Sequence, residues 1–202
     1  MDRSGGIHTM SEQLNQPVAL KEWAVTVRAL AEGELIMVMR KGGIVEETRD
    51  FRLIKPSFYL MPAYEHQREE LLKAPYQGRI ASTLEGWSKD AETMTLEAYA
   101  EAVQDIEVYD SETLARVFGE HIWTETFAEE RLKWKKKNPL HVLLLRVYKL
   151  ERPITVPMQP AYTGCKSWVT LEDGVPEVGM TPVLNDTEFA EKVNRIVERL
   201  QG

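Results

Sequence analysis

PVALKEWAVTVRALAEGELIMVMRKGGI, residues Pro17–Ile44, decides how the rest of the chain is read. Leu20, Trp23, Ala24, Val27, Leu30 and Ala31 recur at helical spacing, and Lys21, Glu22, Arg28 and Glu32 lie off that stripe. The spacing predicts one helix over Pro17–Gly33, stopped by a glycine that tolerates a left-handed backbone. The period then changes. ELIMVMR is a short apolar run, and Gly42-Gly43 closes it. A buried strand followed by a turn is the expected outcome.

Further along, FYLMP (Phe58–Pro62) predicts a second short strand ended by its proline. HQREELLK predicts a short helix stopped before Pro75, and the polar, glycine-containing Gln77–Thr93 predicts a loop. Met94–Asp110 fits both periods. Leu96, Tyr99, Ala100, Val103 and Ile106 have helical spacing, whereas Ile106 and Val108 alternate. Asp110 and Thr124 are capping residues for two helices, the second running into Lys133–Lys137. LHVLLLRVYKL is the strongest strand, and Pro160–Leu171 predicts a turn at Gly164 and another strand. Gly174–Leu184 reads as a linker. Asp186–Leu200 is an amphipathic helix with Phe189, Val193, Ile196, Val197 and Leu200 on one face.

Helices and strands in this order, without regular βαβ alternation, give an α+β fold built as a single domain. The division expected is a mobile extension over 1–16, a domain over 17–173, and a linker with a packed C-terminal helix over 174–202. With 202 residues, 43% hydrophobic and 28% charged, the chain is long and apolar enough for a sizeable core, which excludes general disorder. The net charge of −7 argues against a generic basic coat for nucleic acid but leaves room for a local basic face. A single cysteine, Cys165, excludes an internal disulfide and any cysteine-based zinc pattern. It fits a reducing cytoplasm. No apolar run approaches the roughly 20 residues needed to cross a bilayer, so no membrane partner is expected.

Five stretches carry candidate chemistry. Arg40 and Lys41 lead into Gly42 and Gly43, where bare backbone and cations could meet a phosphate; a tight hairpin is the commoner use of such a pair. Tyr64-Glu65-His66 offers a pocket wall. Glu65 and His66 are the candidates for catalysis, against the plain reading of an acidic helix start. Glu120-His121 echoes that pair, and KWKKK after it mixes an aromatic with cations, although cations also suit a helix C-terminus. Arg146 and Tyr148 share a strand face, where an internal acid is the usual partner of such an arginine. Tyr162, Lys166 and Trp168 offer stacking and charge around Cys165, itself read as a small buried residue. No metal site is expected, and no cofactor is indicated.

ALKEWAVTVRALAEGELIMVMRKGGI, FYLMPAYEHQ, HIWT, PLHVLLLRVYKL and YTGCKSWVTL together resemble the bacterial family called domain of unknown function 1802, from about Ala19 to Leu171. Association of some members with restriction-endonuclease-type domains implies DNA. A helix ending at Gly33 and a strand ending at Arg40 is also similar to the start of ASCH domains in the PUA-like group, whose pattern is roughly G-x-K-x-x-E-x-R. Leu35 and Val38 replace its Lys and Glu, which speaks against the amidohydrolase chemistry of some ASCH proteins. The resemblance implies a small mixed or antiparallel PUA-like barrel sheet with surrounding helices, and Leu96–Asp110 as a long strand leading to a helix. It also implies a nucleic-acid- or nucleotide-binding module, with Arg40 and Lys41 on phosphate and Tyr64, His66 and Trp168 lining the pocket. The alternatives are a metal-assisted hydrolase or nuclease using Glu65, His66 and His121, and a protein-interaction subunit of a restriction- or defence-type system. The oligomeric state is not legible.

Overall fold

Val18–Trp23 is a strand, β1, and only Ala24–Ala31 is helical, as α1. The expected helix over Pro17–Gly33 is therefore corrected in its first half. β1 lies between two other strands and is buried along most of its length, with Val18, Ala19 and Leu20 all at 5% exposure or less. A strand buried on both faces shows no polar alternation, so its apolar residues matched a helical stripe by coincidence. The computed structural model describes residues 16–41, 51–134, 138–172 and 174–202. Gly42, Gly43 and Lys135–Lys137, and with them the expected turn and most of the basic run, lie outside the described residues, as do residues 1–15.

The remaining strands are β2 (Met37–Arg40), β3 (Ser57–Ala63), β4 (Thr93–Val108), β5 (Leu140–Pro157), β6 (Trp168–Thr170) and β7 (Met180–Pro182). They build one seven-stranded mixed sheet in the order β2-β5-β4-β3-β1-β6, with β7 on β5. β1 and β3 run parallel and the other pairs antiparallel. The stretch that fitted both periods is thus strand through Val108, and with β5 it forms the long central ladder, bent by register shifts at Leu96/Ala98 and Ala102/Gln104. β2 and β7 pair with the same edge of β5 in succession, at His141–Leu144 and at Tyr148–Leu150. The segment over 174–184 is consequently more than a linker, since its Met180–Pro182 joins the sheet.

The hydrogen-bonded path is open, with β2 and β6 at its ends. Side chains join what the ladder does not. Arg40 on β2 reaches Glu22 on β1 at 3.2 Å and the Ser167 hydroxyl just before β6. The sheet is therefore curled like the expected barrel but lacks a closing ladder among the described residues.

A short helix, α2 (Arg79–Thr83), interrupts the stretch expected to be a loop. The helix expected after His66 is instead a single 3₁₀ turn, Glu69–Leu71, with Leu72 bridged to Trp123. Glu69 explains both: its carboxylate accepts from the N–H groups of Gly78 and Ile80 and so starts α2. α3 (Ser111–Arg116) and α4 (Glu125–Lys133) begin at the expected caps, with Asp110 accepting from Thr113 N–H and Thr124 from Phe127 N–H. α5 (Asp186–Gln201) closes the chain, capped by Asn185.

The two faces of β1 serve different cores. Val18 and Leu20 face the main core with Phe58, Leu60, Leu143 and Leu145. Ala19 faces a smaller core with Met61, Leu96, Ile154, Val156 and Tyr162. Alternation along β1 then sends Lys21 to the Ala19 side and Glu22 to the Leu20 side. No helix among the described residues is long and apolar enough to cross a membrane.

Candidate functional site

Above the smaller core the surface opens into a cleft of about 570 Å³. Its floor is Lys21 and Met61, neighbours across the β1–β3 ladder. Its walls come from the residues after β3, the loop around Trp87, the start of β4 and the loop after β5. A cleft of this size falls within the range that holds small ligands.

Lys21 is the half-buried cation of the cleft. Its Nζ donates to the carbonyls of Tyr162 at 2.6 Å and Gly164 at 2.8 Å. The second carbonyl is turned inward by a left-handed backbone at Gly164, φ 81°. An ammonium has three donors, so one is left for a ligand. Burial lowers the pKa of Lys21, and the nearby Cys165 and Glu65 oppose that shift.

Tyr64 leaves the end of β3 and stacks on Trp87, with ring centroids 5.4 Å apart and planes 24° apart. The turn that aims it is held from behind. His66 adopts φ 65°, and Gln67 Oε1 accepts from Val25 N–H in the first turn of α1 while its Nε2 donates to the Tyr64 carbonyl. Glu65 also lines the cleft, as do Glu85 and Lys89 of the Trp87 loop. The site thus combines two stacked rings, a cation with a spare donor, and two carboxylates able to accept hydrogen bonds from a ligand.

The other candidate residues lie elsewhere. His66 is exposed, does not line this cleft and takes the left-handed position of the turn. Arg40 is interior, bonded to Glu22 and Ser167 and 5.8 Å from the Phe51 ring. Lys41 is buried and donates to the Leu132 carbonyl. Arg146 pairs with an acid of the chain itself, the exposed Asp186 at the start of α5, at 2.7 Å, with Phe189 beneath the guanidinium. Tyr148 donates to Glu101. Trp168 packs on Phe51 and Phe58 and donates to the Arg52 carbonyl. Cys165 is exposed rather than buried, because it follows the Gly164 turn on the outer loop.

Glu120 and His121 are part of the packing. Glu120 receives Arg195 and Arg199 of α5, which hold its carboxyl below the usual range, Arg195 foremost. His121 is 3% exposed, and its Nδ1 accepts from Trp123 N–H. Burial, with Lys73 nearby, lowers its pKa to about 3. Lys73 itself caps the carbonyls of Phe118 and His121. Glu65, His66 and His121 do not assemble a ligand set; among the described residues no group of three or more His, Cys, Asp or Glu side chains could hold a metal ion.

Two contributors escape a reading of the sequence. A helical period puts Lys21 on a polar side together with Glu22, whereas a strand turns the two apart. Trp87 stands in GWSKD, where a tryptophan in a polar loop is the available signal.

Residues 19–195 match the family model described as domain of unknown function (DUF1802). No curated protein matches the chain. Among solved structures, an ASCH protein from Zymomonas mobilis is 12% identical, with a TM-score of 0.44 over 91% of this chain and 94% of that one. Two single-site variants of the Zymomonas mobilis protein score similarly. One is 12% identical with a TM-score of 0.41, over 89% of this chain and 95% of that one. The other is 13% identical with a TM-score of 0.42, over 89% and 98%.

Proposed function

The chain belongs to the DUF1802 family, and we propose that it is a nucleic-acid- or nucleotide-binding module whose ligand lies in the cleft above Lys21 and Met61. The observation that carries this reading is the Tyr64–Trp87 stack beside a half-buried ammonium with a free donor. A nucleotide presents a flat base and an anionic phosphate together, and aromatic stacking plus a cation is the usual protein answer to that pair. Arg40 and Lys41, whose charged atoms are engaged inside the protein, are not needed for it.

The carboxylates favour some bases over others. Glu65 and Glu85, as carboxylates, are acceptors only. Adenine, cytosine and guanine carry exocyclic amino donors, whereas uracil and thymine carry one ring N–H flanked by carbonyl acceptors that a carboxylate repels. The ligand of this reading is therefore an amino-bearing base on a phosphate.

Calorimetric titration with single-stranded oligo-A, oligo-C and oligo-U tests it. The reading expects salt-sensitive binding, with oligo-U the weakest, and lower affinity in Trp87→Ala. Absence of binding to all three, or affinities indifferent to Trp87, would refute it.

A further inference from the structure

A second cleft, of about 330 Å³, adjoins the first and shares Pro62, Tyr64, Glu85 and Thr95 with it. Tyr64 is the partition. One side of its environment is the Trp87 ring; the other is the second cleft, where Arg28, Glu97 and Lys149 also stand. Burial raises the pKa of the Tyr64 phenol, Glu97 adds to that shift and Arg28 opposes it. The second cleft alone is of a size that holds a small ligand.

Resting on the proposed nucleotide-binding role of the first cleft, we infer that the two clefts are adjacent subsites for a single strand of at least two nucleotides, with the stacked Tyr64–Trp87 pair between successive bases and Lys149 facing the phosphate of the second. The occupant follows from the arrangement. Each cleft has two cations, Lys21 and Lys89 in the first and Arg28 and Lys149 in the second, set among carboxylates (Glu65 and Glu85; Glu32, Glu85 and Glu97), and the two share one aromatic wall. A duplex keeps its bases paired and stacked on each other, so only a strand with splayed bases could straddle such a wall. Arg28 is partly engaged, donating to Ser82 Oγ at 2.7 Å and to the Ser82 carbonyl. Lys149 is exposed on β5, opposite Ala98 in the β4 ladder, and reaches the cleft from its rim. A lone mononucleotide would leave this second cleft unused.

The test is calorimetry on the full chain with adenosine and cytidine 5′-monophosphates against the corresponding trinucleotides, in ribo and deoxyribo form. The inference expects the trinucleotide to bind at least about fivefold more tightly than the monophosphate, the least that an added stacked base is worth. In Lys149→Ala that ratio shrinks, and the salt dependence of trinucleotide binding weakens by a slope of about 0.7, the contribution of one phosphate contact on a single strand. A ratio in only one of the two sugar forms still supports the inference and tells RNA from DNA. Equal affinities for monophosphate and trinucleotide overturn the second subsite and leave the first cleft's reading standing. If neither probe binds, both readings fall together.

Discussion

Lys21 and Glu22 are neighbours in sequence and face opposite ways, and the two sides of β1 treat charge differently. Glu22 is 4% exposed and faces the main core, where Arg40 meets it and also reaches Ser167. Lys41, next to Arg40 in the chain, is spent on a backbone carbonyl. On the other side, Lys21 keeps a free donor over a cleft that also shows two stacked rings and two carboxylates. Charge on the Glu22 side holds the ends of a curled sheet together. Charge on the Lys21 side stands over an open cleft with a donor uncommitted, which is why we propose a ligand there. A cation in the sequence does not declare which of these it is; burial and the count of committed donors do.

The largest expected effect is on the Glu22 side. Arg40→Met leaves a buried carboxylate without its partner and should cost roughly 3–5 kcal/mol in urea denaturation. Changing Glu22 to Met as well should restore much of that loss. A single variant as stable as the parent would mean that this contact does not join the sheet's ends.

Next is the acid response of the packed side. His121 has a folded pKa of about 3 against 6.5 for an ordinary histidine. Below pH 6.5 the unfolded chain takes up a proton that the folded chain refuses. Stability is complete above that pH and falls as pH drops towards about 3, by about 1.4 kcal/mol per unit where one proton separates the states. His121→Leu should lack that component, so the gap between its denaturation midpoint and the parent's should change with pH across this window. A constant gap would argue against a buried neutral imidazole.

Effects on the cleft side should appear in binding. Tyr64→Ala should weaken oligonucleotide affinity by about 1–3 kcal/mol, the worth of one stacked base. Its effect on the denaturation midpoint should be smaller than that of Arg40→Met. The smallest effect expected is that of Lys21→Met on the salt dependence of binding, a slope reduced by about 0.7. An unchanged slope would place the phosphate elsewhere.

Much of the architecture was legible because it rests on local rules. Asp110 and Thr124 cap helices where their side chains allow it, β5 follows its apolar run, and α5 follows its stripe. β1 was not legible, since a strand enclosed between two others has no polar face to mark its period. Glu69 belongs to the start of α2 rather than to a helix of its own, a contact made across sequence. The cleft was half legible. Tyr64 and Glu65 stood out as a pocket wall after a short strand, and they line it. His66 looked like their partner but turned away, because the chain reverses there with a positive φ. Trp87 and Lys21 join them through tertiary packing that no local pattern encodes.

The central claim is that a base enters the cleft against the Tyr64–Trp87 pair. Fluorescence anisotropy of a labelled single-stranded oligonucleotide of adenine and cytosine tests it most directly, with parent and Tyr64→Ala protein compared at low and physiological salt. The account predicts binding that weakens with salt and drops at least about fivefold in Tyr64→Ala, with the fold retained. Equal affinity for both proteins, or binding indifferent to salt, would contradict it.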